Sequence, residues 1–114
     1  MTNIVKNQKY EELVQREFDP AETLKLLKHT NQQIYWSWGV EKVVNYNDLG
    51  LILLVNGHHH TGVVFIRLSW DDTYSYFLLN PDLSMKKEVH QVYFDELQER
   101  IDKDIEYIDK YDKY

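Results

Sequence analysis

The chain contains no cysteine. That excludes disulfide staples, thiolate metal ligands and cysteine nucleophiles, and it leaves the fold resting on its core alone. Glycine and proline are scarce too, four and two residues respectively. The glycines stand singly at Gly39, Gly50, Gly57 and Gly62, so no glycine-rich loop is present to cradle a phosphate. Long apolar runs are missing: the longest are about six residues, against the roughly 20 that a membrane-spanning helix needs. The first residues, MTNIVKNQKYEELVQ, hold no apolar stretch of the secretory type. A soluble, cytoplasmic protein with no membrane partner is expected. Cationic residues are outnumbered, 13 Lys and Arg against 19 Asp and Glu, for a net charge of −6. Only Lys86 and Lys87 form a basic pair. Binding to nucleic acid neutralises phosphates with clustered Lys and Arg, so direct nucleic-acid binding is not expected.

What the chain has in quantity is aromatic side chains: nine Tyr, four Phe and three Trp in 114 residues. A tyrosine ring packs while its hydroxyl stays wet, which suits half-buried sheet faces and binding surfaces. At this length one domain, residues 1–114, can bury a core without staples. Its ends, 1–9 and 110–114, are expected to fray.

The pattern along the chain reads as α+β. A short helix is expected within Tyr10 to Phe18. A stronger start signal follows at Asp19-Pro20-Ala21-Glu22, an N-cap, a proline at the first helical position and an acid at the third. Leu24, Leu26 and Leu27 then form the apolar face of a helix ending near Thr30-Asn31. Ile34, Trp36, Trp38 and Val40 alternate with Tyr35, Ser37, Gly39 and Glu41, which predicts a strand with one buried face. Gly39 suggests a bulge or a close backbone approach. A turn is expected at Asn45 to Asp48, followed by a central strand over Leu51 to Val55. A hairpin runs from Asn56-Gly57 to Gly62, then strands over Val63 to Trp70 and Thr73 to Leu79, with a turn at Asp71-Asp72. Glu88 to Tyr93 alternates as a fifth, edge strand. Phe94, Leu97, Ile101, Ile105 and Ile108 recur at steps of three and four and define a C-terminal amphipathic helix. The expected architecture is an N-terminal helix, an antiparallel meander of four to five strands and a C-terminal helix, with the helices on one sheet face.

Four sets of residues invite a chemical reading. His58-His59-His60 places His58 and His60 on the same side of an extended segment, where two imidazoles could share a divalent metal with a third donor such as His90 or Asp72. The competing reading is a solvated hairpin loop that needs no cofactor, and it is the favoured one. Asp71-Asp72 is better read as a turn than as an acid–base pair, because adjacent side chains diverge. Ser69 and His90 would make a nucleophile–base pair only without the strand–turn–helix sequence that usually presents such a serine. The aromatic set divides: Trp36, Trp38 and Trp70 are expected beneath the helices, while Tyr35, Phe65, Arg67, Tyr74 and Tyr76 would line an open sheet face suited to binding a protein. Finally, residues 95–114 hold eight acids and four bases. Asp95, Glu99, Asp102, Glu106 and Asp109 would form an acidic face, either imitating phosphates for a nucleic-acid-binding partner or simply solvated and paired at i,i+4 as Glu96–Arg100, Glu99–Lys103 and Glu106–Lys110.

Ser37-Trp38-Gly39, then Leu53 to Gly57, Gly62 to Ile66, Asp72-Thr73-Tyr74 and the closing Tyr93-Phe94-Asp95-Glu96-Leu97…Ile101-Asp102 resemble a group of small uncharacterised proteins of bacteriophages and other mobile elements. The resemblance spans about residues 24 to 105. It implies an origin and no activity, and the histidine run is not part of it. A non-enzymatic protein of mobile-element origin that occupies a surface of a host protein is the leading expectation. Its concrete form is an inhibitor of a host defence nuclease, in the manner of an anti-CRISPR protein. The alternatives are a His-cluster metal-binding module or metal-dependent enzyme, and a homodimeric or higher-order accessory domain acting through its sheet edge or open face.

Overall fold

A computed structural model describes residues 2–3, 8–57 and 59–105. Its elements are β1 (Thr2–Asn3), α1 (Gln8–Glu11), α2 (Pro20–Thr30), α3 (Gln32–Ser37), β2 (Lys42–Tyr46), β3 (Gly50–Asn56), β4 (Thr61–Leu68), β5 (Tyr74–Leu79), β6 (Met85–Val92) and α4 (Leu97–Ile105). The strands form one sheet in chain order. Strands β2 to β6 make an antiparallel meander, and the two residues of β1 pair parallel to β2. The fold is α+β, with α4 packed on the sheet as the heptad-like spacing of Leu97, Ile101 and Ile105 requires; all three are fully buried.

Helix α2 begins where its sequence says. The Asp19 carboxylate accepts from Ala21 N at 3.0 Å and Glu22 N at 3.4 Å, and Pro20 occupies the first turn. Such a cap contributes about 1 kcal/mol. Asn31 ends α2 and at once caps α3, its Oδ1 accepting from Gln33 N at 3.0 Å and Ile34 N at 3.2 Å. The expected strand over Ile34 to Val40 is therefore a helix followed by a turn. Within a helix the pair that faces inward is Tyr35 and Trp38, three apart, and both are buried. Trp36, between them, points outward with 66% of its surface exposed. Gly39 then turns the chain at φ +63°, where a Cβ would lie 2.5 Å from the Asn56 carbonyl oxygen. The close approach expected of this glycine is real, although it lies in a helix exit and not inside a strand.

Strand β2 follows, a strand the alternation had placed one element too early. Its turn to β3 has left-handed Asn47 and Asp48, with Asn45 Oδ1 accepting from Asp48 N at 2.8 Å. The β3–β4 hairpin pairs Asn56 with Thr61 as the Asn-Gly signal predicts. The hairpin and the β4–β5 turn lie at opposite ends of the sheet. Helix α3 sits at the hairpin end, where Asn56 N donates to Trp38 O at 3.1 Å. Val92 pairs with Tyr74, so Tyr93 and Phe94 leave the sheet at the turn end.

Both faces of the sheet are covered. Leu51, Leu53, Val55, Val64, Ile66, Tyr76 and Leu78 meet the helices. On the opposite face Val44, Tyr46, Ile52, Val63, Phe65, Phe77 and Leu79 meet Tyr10 and Leu13 from the N-terminal segment. Tyr10 stacks on Phe65 at 5.3 Å between ring centroids, and its edge meets Tyr46 at 5.4 Å. An open sheet face carrying Phe65 was the expectation. The N-terminal segment closes it because the face is too apolar, three aromatic rings and four aliphatic side chains, to lie in water.

Candidate functional site

The residues expected on one binding face are dispersed. Tyr35 is buried on α3, Tyr76 is buried beneath α4, and Tyr74 is half-buried on that same helix-covered face, its hydroxyl 2.9 Å from Thr23 Oγ1. Phe65 lies under Tyr10 on the other face, and Arg67 lies beyond it on the same strand. The tryptophans separate as well. Trp38 is fully buried, whereas Trp36 and Trp70 are exposed at opposite ends of the sheet, Trp70 by 72%.

The acidic face also changes. Asp95 and Glu99 are exposed, but Asp102 is buried and its Oδ1 accepts from Trp38 Nε1 at 3.0 Å. The i,i+4 pairs Glu96–Arg100 and Glu99–Lys103 are not among the ion pairs of the described residues. Asp104 instead bridges sideways, accepting from Tyr76 Oη and from Lys87 Nζ at 2.6 Å. Burial and the Asp104 carboxylate raise the Tyr76 hydroxyl well above its ordinary value. Glu106 and Asp109 lie outside the described residues.

His58 also lies outside them. His60 is buried, with Nε2 3.1 Å from the Val63 carbonyl and Nδ1 3.4 Å from Lys86 Nζ. Both ring nitrogens of His60 are thus engaged within the protein, and this residue is buried where a solvated loop was expected. Burial lowers its pKa below the ordinary 6.5, which keeps it neutral. Among the described residues no group of three or more His, Asp or Glu is placed to hold a metal.

What the fold does assemble is a pocket of about 340 Å³ at the turn end of the sheet. Arg67 from β4 and Ser75 from β5 are register partners, so both face the side covered by the N-terminal segment. His90 of β6 stands beside Ser75, and Ser69, Trp70, Asp71, Thr73, Gln91 and Gln15 also line the pocket. The turn is held by its own polar groups. Asp71 Oδ1 accepts from Thr73 N at 3.1 Å and Thr73 Oγ1 at 2.6 Å, which lowers the Asp71 pKa, and Asp72 is left-handed and paired with Arg16. Asp71-Asp72 is thus a turn, as read. Gln15 Oε1 accepts from Trp70 N at 3.0 Å, so residues 13–16 are strapped to this end.

Two features of the pocket carry chemistry. One is a hydrogen-bond chain: Ser69 Oγ to Ser75 Oγ at 3.1 Å, Ser75 Oγ to His90 Nδ1 at 2.9 Å, and His90 Nε2 to Glu88 Oε1 at 3.1 Å. Ser69 and His90 are brought to one place, with Ser75 between them. The other is Arg67, only 9% exposed. Its Nη1 donates to Leu13 O at 2.7 Å and its guanidinium lies 5.1 Å from the Phe77 ring centroid. Its buried Nε has no hydrogen-bond partner. Burial lowers its pKa from the ordinary guanidinium value, opposed by the fields of Glu88 and Asp71. Neither acid closes to an ion pair with it.

Ser75, Gln15 and the exposed Trp70 were not anticipated. An arginine at an alternating position inside Val63 to Leu68 was the available signal, since a charge on a buried strand demands a partner. No family model, no curated protein and no solved structure matches the chain. No described helix is long and apolar enough to cross a membrane.

Proposed function

We propose that this chain is a non-enzymatic binding protein that engages a partner protein through the turn end of its sheet. The observation that carries the reading is the exposure of three large rings there, Trp70 at 72%, Tyr93 at 60% and Phe94 at 66%, in a molecule that buries most of its other aromatics. Trp and Tyr are the residues that dominate interface hot spots, and a domain gains nothing in stability by leaving them in water. The narrower form, a mobile-element inhibitor that occupies the nucleic-acid-binding surface of a host defence protein, is supported by the net charge of −6. Acidic charge of that size steers a small protein toward a basic surface.

The test is comparative capture from a lysate of the organism that encodes the chain. Wild type, a Trp70→Ala/Phe94→Ala double variant and a Trp36→Ala control at the opposite end are used as baits. A protein retained by wild type and the control but lost from the double variant supports the reading. Equal retention by all three places the interface elsewhere, and no retained protein refutes it.

The chain Glu88–His90–Ser75 favours a second reading, an acyl-transfer site with Ser75 as nucleophile. It ranks second because Ser75 is buried and its oxygen is already engaged by both Ser69 and His90. Hydrolysis of an activated ester by wild type, abolished in Ser75→Ala, would promote it.

A further inference from the structure

We infer that the Arg67 pocket is a binding site for a carboxylate, with Arg67 as its cationic floor and Trp70 as the aromatic wall at its mouth. This goes beyond the partner reading, because the ligand chemistry holds whether the carboxylate is carried by a free small acid or by the end of a polypeptide.

The argument begins with the cost of burying a guanidinium. A charged group taken out of water is stable only where its donors are met, and each buried donor left unmet is destabilising. Arg67 has one donor met by a carbonyl, a ring beneath it and a buried Nε with nothing to donate to. Apolar side chains surround the strand, so a Leu or Met here would have packed without that penalty. The arginine instead lines an open pocket whose other members are mostly polar, among them Ser69, Ser75, Gln15, His90 and one carboxylate, Asp71, which is already engaged by Thr73. An oxyanion entering the pocket would meet the guanidinium that lines it, and arginine matches a planar oxyanion better than any other side chain.

The surrounding charge selects the kind of oxyanion. Asp71 and Glu88 lie close enough to raise the Arg67 pKa against the effect of burial. They stabilise the cation, and for the same reason they oppose a second negative charge beside it. One guanidinium with two carboxylates in its field therefore disfavours a phosphate dianion more than a monoanion. Trp70, a pocket residue exposed by 72%, offers a flat apolar face to whatever the carboxylate is attached to. An acid with an aromatic or otherwise planar body therefore fits best.

The arginine side chain reports on its own ligand, because its Nε–H gives a resolved signal in nitrogen-15 NMR spectra and the chain has only three arginines, Arg16, Arg67 and Arg100. Purified full-length protein is titrated with sodium benzoate, N-acetylphenylalanine and sodium phosphate, each against sodium chloride at constant ionic strength. The expected result is a saturable shift of the Arg67 Nε–H and Trp70 Nε1–H signals with the two carboxylates, and none with chloride. Tighter binding of benzoate assigns a free aromatic acid, and tighter binding of N-acetylphenylalanine assigns a polypeptide C-terminus. Arg67→Met should weaken binding by at least about tenfold, the usual loss when a hydrogen bond to a charged group is removed. Should that variant fail to fold, Glu88→Gln serves, since its side chain is largely exposed: it should tighten benzoate binding about twofold or more by removing a repelling charge. No saturable shift with either carboxylate, a preference for phosphate, or benzoate binding weakened by Glu88→Gln would each overturn the assignment.

Discussion

Replacing Asp102 by alanine should cost far more than replacing Glu99 on the same C-terminal helix. From the sequence this residue belongs to a solvated face with Glu99. In the structure it is 7% exposed and holds the indole N–H of Trp38, itself fully buried, at 3.0 Å. Asp102→Ala leaves that N–H inside the core with no acceptor, and a buried hydrogen bond to a charged group contributes about 1.5–3 kcal/mol. Three heavy atoms leave the site as well, so the loss should lie toward the top of that range, about 2–3 kcal/mol. For a chain of this length unfolding entropy near the midpoint is about 0.24 kcal/mol per degree, so Tm should fall by about 8–12 °C. Glu99→Ala, on the exposed side of the same helix, should change stability by no more than about 0.5 kcal/mol. Both variants are measured by thermal and urea unfolding followed by circular dichroism, with Trp38 fluorescence as a local probe. Equal effects of the two substitutions would refute the buried bond and return Asp102 to the surface.

Further outcomes test the pocket and the titrating groups. Arg67→Met should leave the unliganded protein within about 1 kcal/mol of wild type in urea unfolding, because relief of guanidinium desolvation offsets the lost bond to Leu13; a loss above about 3 kcal/mol would mark Arg67 as a structural strut. His60 is neutral in the fold with its pKa below 6.5, so the folded state binds fewer protons than the unfolded chain. Stability should be complete above that value and decline as pH falls below it, and His60→Gln should flatten this part of the urea-midpoint profile. The Tyr76 hydroxyl is raised above its ordinary 10.0, so its contribution is present below that pH and is lost as pH climbs past it. Tyr76→Phe should cost about 1–2 kcal/mol at neutral pH, and the alkaline decline should be shallower than in wild type. Trp70→Ala should be close to neutral for stability, within about 0.5 kcal/mol in thermal unfolding, because an exposed ring contributes little to the core.

Local chemistry made much of this protein legible from its residues. The Asp19-Pro20 start of α2 and the Asn56-Gly57 hairpin were readable because each depends on a few neighbouring residues. The same holds for the Asp71-Asp72 turn and the apolar spacing of Leu97, Ile101 and Ile105. The strand over Ile34 to Val40 was misread because Tyr35 and Trp38 satisfy a helical spacing inside a stretch that also alternates, and an Asn31 cap is a weaker signal than four apolar residues in alternation. Periodicity reports that a face is buried; it does not report what covers it. Only the packed structure could show that the N-terminal segment seals the Phe65 face, or that Asp102 turns inward to Trp38. Only it could show that Arg67, Ser75 and His90 meet across three strands beneath Trp70. Those pairings join residues far apart in the chain, and long-range register is set by the whole sheet closing at once. The sequence by itself determined the α+β class, the meander and the absence of cysteine chemistry. The tertiary structure decided which polar groups are buried together, and therefore where a ligand could be held.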